Sequence, residues 1–138
     1  MTTVSQWMKK PITVEDESSV MEAMHIMKEE RIPYLPVMRR GKLIGLLTET
    51  SISRSTPGKA TSLDTWELHY LLSKIPVREA MIRTPYTVQS GTDVREAARF
   101  LHDRRASCLC VVTGAGELVG ILTVTDVLEA LLSLCGNG

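Results

Sequence analysis

No run of about 18 apolar residues occurs in this chain, so no membrane-spanning helix is expected. Surplus charge of either sign is also missing. Lysine plus arginine (16) equals aspartate plus glutamate (16), which argues against a nucleic-acid binder that would need a basic face. The chain reaches Glu15, Asp16 and Glu17 without an apolar run, so no signal peptide is expected. Cysteine is scarce: Cys108, Cys110 and Cys135 read as reduced thiols of a cytoplasmic protein. Cys108-x-Cys110 lacks the two-residue spacing of a zinc hook and reads as strand core. His25, His69 and His102 are scattered. There is no Gly-x-Ser-x-Gly, no P-loop and no metalloprotease motif. No nucleophile and base can be paired, so neither a catalytic residue nor a metal site is expected, and the chain does not read as an enzyme.

What is present is ordinary for a globular protein. The 138 residues are 43% hydrophobic and 23% charged, enough for one domain with a real core. Val4 to Met8 reads as a short helical turn and Pro11 to Val14 as an extended segment. Ser18 or Ser19 starts a helix whose buried face is Val20, Ala23, Met24 and Met27. That helix ends near Arg31, because Pro33 disfavours helix at Ile32. Tyr34 to Met38 and Leu43 to Leu47 read as strands around the polar turn Arg39-Arg40-Gly41-Lys42. Thr48 to Ser51 then enters a short helix.

The second half says the same again. Pro11 to Arg40 align with Pro85 to Gly114, and Gly41 to Thr48 align with Gly116 to Thr123, leaving Ala115 as an added turn residue. Pro-x-Thr-Val recurs, Val20, Glu22 and Ala23 match Val94, Glu96 and Ala97, and Arg31 matches Arg105. The identities fall on turn glycines and core positions, which marks an internal duplication. Between the halves, Ser55 to Lys59 has loop chemistry. Leu63, Trp66, Leu68, Leu71 and Leu72 then form one face of a helix started by Ser62 or Asp64.

Gly120-Ile121-Leu122-Thr123-Val124-Thr125-Asp126 is the stretch with chemistry. It reads as the end of a buried strand, a turn, and the first turn of the last helix. Thr123 and Asp126, three residues apart at a helix start, are either a cap or a hydroxyl and carboxylate facing a polar ligand.

The repeated pattern, two hydrophobic strands around a Gly-containing turn followed by Gly-h-h-Thr-x-x-Asp, resembles the cystathionine β-synthase (CBS) domain. The whole chain resembles a tandem CBS pair of the bacterial stand-alone, acetoin-utilisation type. The resemblance implies an α/β (α+β) fold of two β-α-β-β-α repeats related by a pseudo-twofold, with sheets packed around a central cleft. The expected boundaries are 1–56 for the first repeat, 57–76 for the connector and 77–138 for the second repeat. The resemblance further implies a homodimer that senses an adenosine-containing ligand of the AMP, ADP or ATP class and signals to a regulated protein. No cofactor is required.

On the same resemblance Asp126 takes the ribose, Thr123 and Arg105 the phosphate, and Thr84, Tyr86, Thr87 and Val88 the adenine, with Gly120 beside them. The first repeat departs from the pattern: Ser51 stands where Asp126 stands in the second. Its counterpart site, Thr13, Arg31, Thr48 and Ser51, is therefore expected to be weak or vacant. Two other functions remain open: a dimerising scaffold with vestigial sites, and a sensor of S-adenosylmethionine or NAD.

Overall fold

The computed structural model describes residues 2–56 and 63–135. Most of the expected loop after Thr56, and Ser62 as a helix start, lie outside the described residues. The chain packs as two units, Ile12–Thr84 and Met1–Pro11 with Pro85–Gly138.

The first unit holds β1 (Val14–Glu15), α1 (Val20–Glu30), β2 (Tyr34–Arg39), β3 (Lys42–Thr48), α2 (Glu49–Ser55) and α3 (Thr65–Lys74). Ser19 caps α1 by accepting the Glu22 N–H at 3.0 Å, and Asp64 caps α3 by accepting the Glu67 N–H at 2.8 Å. Arg31 ends α1 in the left-handed region (φ 58°), so Pro33 meets a chain that has already left the helix. The sheet order is β1-β2-β3. β1 runs parallel to β2 (Val14 opposite Val37) and β2 antiparallel to β3 (Leu35 opposite Leu47). Arg40 (φ 49°) and Gly41 (φ 77°) make the two-residue turn whose twist matches the strands. The core gathers Val20, Ala23, Met27, Leu35, Val37, Leu47, Ile52 and Leu72. Each fully buried leucine there contributes about 1.5–3 kcal/mol.

The second unit repeats the plan with β4 (Thr87–Gln89), α4 (Val94–Arg104), β5 (Cys108–Val112), β6 (Leu118–Thr123) and α5 (Val124–Cys135). The sheet order is β4-β5-β6, with β4 parallel and β6 antiparallel to β5. Val4, Ala97, Leu101, Leu109, Val111 and Leu122 form its core. Cys108 and Cys110 are buried in β5, and burial pushes their thiols up to about 11 and about 12.

The packing units and the sequence repeats differ in one segment each. Residues before Pro11 pack with the second repeat. Val4 fills the second core, and Lys9 pairs antiparallel with Ile121 (N···O 2.8 and 2.9 Å). Residues 77–84 do the same for the first repeat. Val77 lies in its core, and Ile82 pairs with Leu46 (N···O 2.8 and 2.9 Å). Backbone pairing and an apolar anchor thus tie residues 77–84 to β3.

Two apolar faces also differ from expectation. Met24 is 40% exposed although its neighbours Ala23 and Met27 are buried. On α3 only Leu72 is buried, and Trp66 stands 84% exposed. Helical spacing locates a stripe, and the width of the contact decides how much of it is covered. On α5 Val124, Leu128, Leu131, Leu132 and Leu134 are all exposed. Among the described residues no helix is long and apolar enough to cross a membrane.

Candidate functional site

The second repeat builds its site where β6 gives way to α5. Thr123 ends the strand, and Asp126 in the first turn of α5 folds back onto it. Asp126 Oδ2 accepts the Thr123 N–H at 2.8 Å and the Thr123 hydroxyl at 3.0 Å. The Asp126 N–H donates in return to Thr123 Oγ1 at 3.2 Å. This reciprocal pair satisfies free N–H groups at the helix start. The capping arrangement is therefore present, and it uses one carboxylate oxygen.

The other oxygen, Oδ1, faces the Lys9 ammonium at 3.4 Å. Asp126 is only 2% exposed, whereas the Lys9 side chain is 61% exposed. A buried carboxylate is costly unless paired, and Lys9 supplies the pairing. The same ammonium donates to Glu129 Oε2 at 3.4 Å. Asp126, then Glu129, hold the Lys9 amine above its ordinary pKa of 10.5. Lys9 was not legible as a site residue. Nothing in the local sequence marks it, and only the pairing of its backbone with Ile121 brings it to α5.

Sheet topology gathers several other expected residues at one end. Thr87 pairs with Cys110, which pairs with Ile121; Val88 pairs with Val111, which pairs with Gly120. Strand spacing puts β4 about 10 Å across the sheet from β6. Cys108 lies opposite Thr123, so Tyr86, the start of β5 and the end of β6 share the same sheet end. Arg105 sits just before β5, exposed, in the left-handed region (φ 52°). A non-glycine residue there is uncommon, and both repeats place an arginine at that position. Tyr86, 42% exposed, meets Phe100 edge-on at 5.3 Å, with the Arg104 guanidinium 5.8 Å from the tyrosine ring. Gly120 has a packing reason for lacking a side chain: a Cβ would collide with Met8. Thr84 is exposed and closes the other packing unit rather than joining this one.

The first repeat repeats the geometry without the charge. Thr48 accepts the Ser51 N–H at 2.9 Å, and Ser51 Oγ accepts the Thr48 N–H at 2.9 Å while donating to the Thr48 carbonyl at 3.0 Å. The cap is complete, and no carboxylate is left over. Thr13 and Arg31 are exposed, at the same sheet end as Thr48. An apolar groove of about 700 Å³ opens in this repeat against Met21, Met24, Ile52 and Leu72, and none of Thr13, Arg31, Thr48 and Ser51 lines it. Among the described residues no group of three His, Cys, Asp or Glu side chains could hold a metal ion.

The CBS domain profile matches residues 4–57 and 77–133. The crystal structure of CBSX2 from Arabidopsis thaliana in complex with AMP superposes with a TM-score of 0.78 at 29% identity, covering 98% of this chain and 99% of that one. The CBS domain pair of protein MJ0100, solved with 5′-methylthioadenosine and S-adenosyl-L-methionine, gives a TM-score of 0.77 at 26% identity over 97% and 98% of the two chains. The acetoin utilization protein AcuB from Vibrio cholerae shares the fold, with a TM-score of 0.80 at 23% identity over 99% and 94% of the two chains. Among curated proteins, inosine-5′-monophosphate dehydrogenase of Korarchaeum cryptofilum is 31% identical over 84% of this chain, which spans only 21% of that enzyme.

Proposed function

The chain belongs to the CBS domain family, and from that premise we propose that it is a regulatory module sensing an adenine nucleotide of the AMP, ADP or ATP class at the Asp126 end of the second repeat. The observation that carries this reading is the pairing of the two Asp126 oxygens. One is spent on the Thr123 cap; the other faces a single, largely exposed ammonium. Ribose hydroxyls can take that second oxygen without breaking the cap. Thr123 and Arg105 then hold phosphate, and the edge strand β4 with Tyr86, Thr87 and Val88 receives adenine. The AMP complex of CBSX2 supports the ligand class. The exposed leucines of α5 support a homodimer, whose geometry would pass the signal to a regulated protein. The chain acts in this reading by binding, with no reaction of its own.

A second reading has an observation in its favour. Asp126 is already fully paired by Thr123 and Lys9, as a purely structural carboxylate would be. The chain would then be a dimerising scaffold with vestigial sites.

Thermal unfolding against AMP, ADP, ATP, S-adenosylmethionine and NAD separates the two. A ligand that binds only the folded state raises the midpoint with concentration. The sensor reading expects a rise with AMP, ADP or ATP that is lost in Asp126→Ala. The scaffold reading expects flat curves across the panel.

A further inference from the structure

Lys9 stands in the site without belonging to its motif. Its main chain is clamped to Ile121 by two bonds of 2.8 and 2.9 Å, so its position beside β6 is set by the fold. Its ammonium lies 3.4 Å from both Asp126 Oδ1 and Glu129 Oε2. The first turn and a half of α5 thus presents two carboxylates, and Lys9 is the cation that meets both. Without it an anionic ligand approaching Asp126 would meet two negative charges at close range. With it, a ligand whose ribose takes Oδ1 releases an ammonium that is still anchored within reach of the ligand.

We infer that Lys9 sets the charge selectivity of the Asp126 site, admitting phosphorylated nucleosides and disfavouring neutral and cationic ones. This rests on the reading of Asp126 as the ribose acceptor. The three ligand charges behave differently. A phosphate replaces Asp126 as the counterion of the displaced ammonium. A neutral nucleoside takes Oδ1 and leaves the ammonium with Glu129 alone. A sulfonium, as in S-adenosylmethionine, adds a second cation beside it. The first repeat has no carboxylate for such a lysine to meet, since Ser51 is neutral, and its paired lead-in residue is Ile82.

The test is calorimetric titration of the full chain with AMP, adenosine and S-adenosylmethionine, in wild type, Lys9→Met, Lys9→Arg and Glu129→Gln. In Lys9→Met the AMP-to-adenosine affinity ratio should fall by about tenfold or more, the usual worth of a charged hydrogen bond. S-adenosylmethionine should bind as well as before or better. Lys9→Arg should keep the wild-type ratio. Glu129→Gln, at an exposed position, should raise it and decides the matter if Lys9→Met does not fold. A ratio unchanged in both Lys9→Met and Glu129→Gln, with AMP still bound, overturns the role of Lys9 and leaves the sensor reading intact. If none of the three ligands binds wild type, and ADP and ATP do not bind it either, the sensor reading fails and the Lys9 inference falls with it.

Discussion

In the first repeat β3 enters α2 through Thr48 and Ser51; in the second, β6 enters α5 through Thr123 and Asp126. Both pairs close a reciprocal cap, with donor–acceptor distances between 2.8 and 3.2 Å. A hydroxyl and a carboxylate thus serve the backbone equally well. They differ in what remains. Ser51 Oγ finishes its bonds on its own turn, while Asp126 keeps one oxygen for a partner from another segment. The fold needs only the cap, so it persists in both repeats. The surplus acceptor is an addition that the fold does not require, and it appears where the chain also supplies a cation.

Several substitutions sharpen or break that contrast. The largest expected effect is a gain. Ser51→Asp gives the first repeat the missing carboxylate, beside Thr48 and Arg31. AMP should then bind there about ten- to a hundredfold more tightly than in wild type, from one added charged acceptor. A second binding phase in calorimetry would register it, and an unchanged isotherm would mean that the carboxylate is not what separates the repeats.

Next in size are the paired glycines. A Cβ on Gly45 would meet the Ile82 carbonyl oxygen at 2.8 Å as well as Met81, whereas at Gly120 its three nearest contacts all belong to the flexible Met8 side chain. Overpacking of this kind costs about 1–3 kcal/mol. Gly45→Ala should fall nearer the upper end and Gly120→Ala nearer the lower, measured by urea unfolding followed in each unit. The reverse order would contradict the lead-in packing.

The left-handed arginines come third. Arg31→Gly and Arg105→Gly both relieve a backbone conformation that glycine adopts freely, so each should stabilise by up to about 1 kcal/mol. Only Arg105→Gly should also weaken AMP. Equal effects on binding, or none, would remove Arg105 from the phosphate site.

The smallest effect is in alkali. Asp126 and Glu129 raise the Lys9 pKa on folding. A raised pKa contributes stability that is fully present below the unfolded value of about 10.5 and is lost as pH climbs through the folded value. The stability difference between wild type and Lys9→Met should therefore hold steady to about pH 10 and vanish above it. Because the lysine is largely exposed the difference is small and shrinks with salt. A difference that grows with pH would have the wrong sign.

The duplication, the strand and helix order and the Thr123–Asp126 pair were legible in the sequence, because they rest on periodicity and on local caps. The exchanged lead-in segments were not. Val4 to Met8 and Val77 to Met81 are single short turns with no periodicity, and what places them is pairing with Ile121 and Leu46 on distant strands. Lys9 was hidden for the same reason, since its charge partner lies more than a hundred residues away in the chain. Trp66 shows the opposite failure: its spacing placed it on the buried face, and α3 buries Leu72 and half-buries Leu68 and Leu71 while Trp66 stays exposed. Thr84 reads as continuous with Tyr86 in sequence, yet the packing boundary falls between them.

The central claim is that Asp126 caps α5 with one oxygen and serves a ligand with the other. The most direct measurement is AMP binding and thermal stability in Asp126→Ser, which gives the second repeat the first repeat's cap. The account predicts a stability loss of about 1 kcal/mol or less, since the cap survives, together with a fall in AMP affinity of about ten- to a hundredfold. Wild-type AMP affinity in that variant would contradict it.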